Sequence, residues 1–165
     1  MSSADMKRAQ GSKDVEPIVC LNPVKGLWRV RMDITETDDG AEWLEHDFDH
    51  RPTANEIKAL YVELVNEEVQ RRILEGFFYK HTPVWLSIEN QFDYTGAFLL
   101  ATQTNGRNLP VTFKFGTDEF PVLTSFQTIE ELTDFYSAMN DHINECVAEG
   151  WERKALFDVE PYLRE

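Results

Sequence analysis

The sequence predicts an α+β protein: three small antiparallel β-hairpins, each followed by a helix, two of the helices long and one short, gathered in a single compact domain. Three observations predict it. Short runs of alternating apolar and polar residues are separated by Gly, Pro and Asp turn clusters. Two hydroxyl-x-x-Glu capping boxes open longer runs in which apolar residues recur every three or four positions. Finally, 42% of the 165 residues are hydrophobic and 12% aromatic, enough to bury a core without disulfide staples.

The elements follow in chain order. Residues 1–16 mix small, polar and charged types without periodicity and read as a disordered N-terminal arm, leaving 17–157 as the α+β domain. From Leu27, the residues Trp28, Val30, Met32 and Ile34 alternate with Arg29, Arg31, Asp33 and Thr35, the pattern of a half-buried strand. The turn cluster Thr37-Asp38-Asp39-Gly40 returns it as a hairpin through Trp43 to Phe48. Thr53 and Glu56 then form a capping box, and Ile57, Leu60, Tyr61, Leu64, Val65, Val69, Ile73 and Leu74 define one helical face that ends at Gly76. Phe77 to Leu86 form a second, short hairpin around Lys80-His81-Thr82-Pro83, and Ser87 or Asn90 caps a short helix running to Thr104-Asn105-Gly106. Val111 to Leu123, turning at Gly116-Thr117-Asp118-Glu119, give the third hairpin, with Pro121 marking an edge strand. A second capping box, Thr128 with Glu131, opens the longest helix, whose apolar seam is Ile129, Leu132, Tyr136, Met139, Ile143, Cys146 and Gly150. Residues 158–165 are a short polar tail.

Composition excludes several classes of function. The chain has 16 Lys and Arg against 30 Asp and Glu, a net charge of -14, which opposes both a sequence-independent grip on nucleic acid and docking on anionic membranes. No apolar run approaches the ~20 residues that cross a bilayer, and the opening residues lack the apolar core of a secretion signal. Cys20 and Cys146 are too far apart in sequence for a redox or zinc C-x-x-C pair. Phosphate-cradling Gly-rich loops, G-x-S-x-G and HExxH are all missing from the sequence. The densest polar cluster, His46-Asp47-Phe48-Asp49-His50, places its histidines and its aspartates on opposite faces of an extended strand, so the four do not converge on one ion. No cofactor, metal or catalytic set is therefore expected, and the chain does not read as an enzyme.

The charge is regional. Eight carboxylates fall between Asp33 and Asp49 and eight more between Asp118 and Glu149, with no Lys or Arg in either stretch, while the remainder is nearly neutral. These stretches read as solvated faces, as a docking surface for a basic partner, or as a nucleic-acid mimic. The candidate partner-binding residues are Trp43, Glu42, Glu45 and Asp47 on the first hairpin and Asp134, Asp141, Glu145 and Glu149 on the last helix. Trp43 is the candidate exposed anchor among tryptophans otherwise expected in the core.

Two segments carry a resemblance. Gly76-Phe77-Phe78-Tyr79 followed by Pro83-Val84-Trp85-Leu86-Ser87-Ile88-Glu89-Asn90-Gln91 resembles a short domain of unassigned function in bacteriophage tail-fibre and tail-associated proteins. Leu109 to Asp118, then Glu130 to Tyr136, resemble small proteins of phages and prophages of Bacteroides-type gut bacteria. The similarity spans about residues 27–157. It implies a phage structural or assembly protein, such as a tail, fibre or baseplate accessory component. Its partners would be other phage structural proteins or further copies of itself, in the virion or in the host cytoplasm during assembly. The alternative is a phage-encoded acidic inhibitor of a host nucleic-acid-binding defence protein.

Overall fold

The computed structural model describes residues 6–164. The α+β class holds, with strands paired antiparallel throughout the described sheets. The chain gathers into two compact units: Met1–Glu67 together with Glu152–Glu165, and Glu68–Trp151. Among the described residues, no helix is long and apolar enough to cross a membrane.

The first unit is built on a four-stranded sheet of order β1-β4-β3-β2, from β1 (Lys7–Gly11), β2 (Ile18–Asn22), β3 (Leu27–Thr37) and β4 (Gly40–Phe48). Alternation sets its two faces. Trp28, Val30 and Met32 pair across the strands with Phe48, His46 and Leu44 on one side, and Arg29 and Arg31 pair with Asp47 and Glu45 on the other. Helix α1 (Ala54–Glu75) begins in this unit, and its Ile57, Leu60, Tyr61, Leu64 and Val65 are buried. The capping box forms as expected: the Glu56 amide donates to Thr53 Oγ1 at 3.3 Å, and the Thr53 amide to Glu56 Oε2 at 2.8 Å.

Two terminal expectations need correction. Of the arm expected to be disordered, Lys7–Gly11 is a strand hydrogen-bonded to β4, with Ala9 opposite Trp43; the first five residues lie outside the described residues. Its side chains are mostly exposed, so backbone pairing rather than apolar burial holds it. Gly40 belongs to this contact, because a Cβ there would stand 2.2 Å from the Gly11 carbonyl oxygen. Close approach of β1, not a left-handed turn, is what requires glycine. The polar tail also docks: beyond Phe157, which stacks on Tyr61 at 4.0 Å, its buried Tyr162 donates its hydroxyl to the Arg31 carbonyl at 3.1 Å. Residue 165 of that tail lies outside the described residues.

The second unit contains the end of α1, the hairpin β5 (Phe77–Tyr79) with β6 (Thr82–Val84), helix α2 (Ile88–Gln103), the hairpin β7 (Val111–Gly116) with β8 (Pro121–Phe126), and α3 (Ile129–Leu156) as far as Trp151. Its core is aromatic. The fully buried Phe135 ring lies 5.1–6.3 Å from the rings of Phe77, Tyr79, Tyr94, Phe113, Phe115 and Phe126. Tyr79 and Tyr94 meet it edge to face, the arrangement that the ring quadrupole favours. Ser87, rather than Asn90, caps α2, accepting from the Asn90 amide at 3.2 Å. Thr128 caps α3 by accepting from the Glu131 amide, while Glu131 reaches back to the Gln127 amide. Gly76 is needed for space, since a Cβ would come within 2.5 Å of the Arg72 carbonyl oxygen.

Candidate functional site

The acidic hairpin of the first unit is a ladder of ion pairs. Arg29 donates from Nε to Asp47 Oδ1 at 2.6 Å and from a terminal nitrogen to Oδ2 at 2.9 Å, a two-pronged fork that also reaches Glu45 at 3.0 Å. This bond, more than its charge alone, holds the Asp47 carboxyl below its ordinary range. Glu42 lies 3.6 Å from Arg8 of β1, and Arg153 reaches Asp33 at 3.1 Å. A stretch with no basic residue of its own therefore receives cations from β1, from β3 and from the end of α3.

Trp43 is not an exposed anchor. It is 8% exposed, with Gly11 against its ring, Arg31 5.3 Å from its centroid and its indole N–H donated to Glu45 at 3.0 Å. The strand missed at residues 7–11 is what covers it. His46 is buried edge-on to Phe48, while His50 bonds Asp49 at 2.7 Å and Glu56 at 2.8 Å, which raises its pKa. Glu56 is held down to about 2 by the Thr53 amide and hydroxyl before His50 contributes.

On α3, the spacing of Asp134, Asp141, Glu145 and Glu149 places them along one exposed stripe. Two of them are engaged within the second unit. Asp134 accepts the Tyr79 hydroxyl at 2.7 Å, burial and after it this bond push the phenol upward, and Glu149 pairs with Arg72. Asp141 and Glu145 stand in solvent.

The feature not anticipated from the sequence is apolar and lies in the second unit. A cleft of about 750 Å³ is lined by Thr112 to Asp118 of β7 and its turn, by Pro83, Val84 and Trp85, and by Leu74, Asp93 and Tyr94. Burial pushes the Tyr94 phenol up to about 12, so it is neutral at any physiological pH. Trp85 of this lining is exposed, and elsewhere in the second unit so are Phe78, Ile88, Phe92, Leu99, Phe120, Leu123 and Trp151. A signal for this was present. Helix α2 contains no Lys or Arg and has apolar residues on two faces: Tyr94, Ala97, Phe98 and Ala101 turn to the core, and Ile88, Phe92 and Leu99 lie opposite.

No curated protein and no solved structure matches the chain. Residues 56–163 match the family described as a domain of unknown function, DUF4376, and the chain belongs to that family.

Proposed function

We propose that the chain is a bacteriophage structural or assembly protein, a tail, fibre or baseplate accessory component, that acts by protein–protein contact through its second unit. The observation that carries the docking role is the set of uncovered aromatics there. Phe92 is 79% exposed, Phe120 71% and Trp151 67%, with Phe78 and Trp85 also open. Aromatic residues dominate the energy of protein–protein contacts, and these rings are free to make them. The phage assignment rests on the resemblance, whose segments, residues 76–91, 109–118 and 130–136, all fall in this same unit.

Docking is assigned to the aromatics rather than the acidic faces because Glu42, Glu45, Asp47, Asp134 and Glu149 already have partners within the chain. In this reading the partners are other phage structural proteins or further copies of the chain, met in the virion or in the host cytoplasm during assembly. Quantitative mass spectrometry of purified particles and of assembly intermediates tests it. A fixed copy number in either is expected, and absence from both overturns it.

A further inference from the structure

Helix α2 holds one of its two apolar faces in water. Ile88, Phe92 and Leu99 are 81%, 79% and 47% exposed, and with Gly96 they follow steps of four, four and three residues, which aligns them along one side of the helix. That side is opposite the one that carries Tyr94 and Ala101 into the core.

Gly96 stands in the middle of this stripe without a reason inside the chain. Within a helix glycine is destabilising relative to alanine, because it has the most backbone freedom to lose. The backbone at Gly96 is helical, with none of the positive φ that selects glycine, and a Cβ built there would meet nothing within 4 Å. Gly40 and Gly76, by contrast, would each drive a Cβ into a carbonyl oxygen. Alanine at 96 would serve the fold better, so what the missing side chain spares is room on the outer side of the helix. Such room at a crossing point lets a second helix come close, since the distance between packed helix axes is set by the side chains at the contact.

Charge selects the kind of helix. Glu89 and Asp93, the ionised side chains of α2, are exposed, lie along one flank of the stripe and have no cation paired with them among the described residues. A second copy would bring the same two carboxylates and a further net charge of -14, which opposes self-association. A helix with Lys or Arg beside its apolar stripe is complementary.

We infer that the outer face of α2 docks an amphipathic helix of a partner protein, flanked by Lys or Arg, which crosses at Gly96 and packs its apolar residues against Ile88, Phe92 and Leu99. The inference rests on the protein–protein reading above and names the surface and the partner's chemistry.

A displayed library of helical peptides, one face randomised on an alanine-rich scaffold, tests it by selection on the full chain. The expected winners carry apolar residues at three- and four-residue steps with Lys or Arg alongside. Their affinity falls about ten-fold or more in Phe92→Ala, which trims an exposed ring. Glu89→Gln with Asp93→Asn weakens binding and its dependence on salt. Gly96→Ala separates docking from a structural role: the melting midpoint of the chain rises while peptide affinity falls about ten-fold or more. The inference is overturned if no helical pattern is enriched, if winners bind Gly96→Ala as tightly as the unaltered chain, or if the chain alone sediments as a dimer that Phe92→Ala dissociates. Helix capture by a chain absent from particles and intermediates would sustain the face while ending the virion role. A chain present in particles that enriches no helix would keep that role and end this inference.

Discussion

The two units treat their surfaces in opposite ways. In the first, charge is dense and much of it is paired: Arg29 holds Glu45 and Asp47 together, Arg8 lies by Glu42 and Arg153 reaches Asp33. In the second, all of the core rings seal around Phe135, yet Phe78, Trp85, Phe92, Phe120 and Trp151 remain in water. A run of carboxylates in sequence locates acidic side chains but not unpaired ones, since the neutralising arginine sits one strand away. In the second unit, by contrast, these rings are exposed. Charge keeps such a molecule dispersed, and the uncovered rings provide the contact.

The largest expected effect tests whether the ring cluster is what holds the second unit. Phe135→Ala removes a fully buried ring from among six others and should cost about 3–5 kcal/mol in denaturant unfolding. A loss below about 1 kcal/mol would move the source of stability elsewhere. In the first unit the corresponding test is deletion of residues 2–16, which strips β1 from β4 and uncovers Trp43. A loss of about 2 kcal/mol is expected, and an unaltered melt would mean that β1 is dispensable. Arg29→Ala should cost only about 1 kcal/mol, because the fork is partly solvated, but it should make unfolding less sensitive to salt. No change in salt dependence would contradict the pairing.

The smallest effect is a pH dependence. Glu56 titrates near 4.5 when unfolded and at about 2 when folded, so its contribution is present above about pH 4.5 and is lost as pH falls toward 2. His50 has the opposite sign: its raised pKa contributes below about 6.5, its unfolded value, and that contribution is lost as pH rises through the folded one. Glu56→Gln should therefore flatten the acid limb of a thermal melt series between pH 4.5 and 2. An acid limb identical to that of the unaltered chain would remove Glu56 from the account.

Much of this architecture was legible in the residues. The three hairpins, the three helices and both capping threonines follow from local chemistry, because a hydroxyl beside an orphan amide and a turn between alternating runs need no knowledge of the rest of the chain. Strand β1 was not legible, since Lys7, Arg8 and Gln10 show no apolar alternation and gain their place by pairing with a distant backbone. The tail hid for a similar reason: among its described residues only Val159 and Tyr162 are buried. Of the candidate site, the residue types were visible but their state was not. Trp43 is exposed or buried depending on a strand more than thirty residues upstream, and the cleft gathers residues of α1, β6, α2 and β7 that lie far apart in the chain.

The seat of Trp43 under Gly11 has an optical consequence. An indole enclosed by a backbone and a guanidinium emits toward the blue and is sheltered from dissolved iodide, whereas Trp85 and Trp151 meet the quencher directly. Beside the half-buried Trp28, the protein's own fluorescence thus contains a protected contribution that reports on the seating of the N-terminal strand and an open one that dims or brightens when the second unit acquires a cover. A single titration, read at two wavelengths and without a label, follows both ends of the chain's behaviour at once.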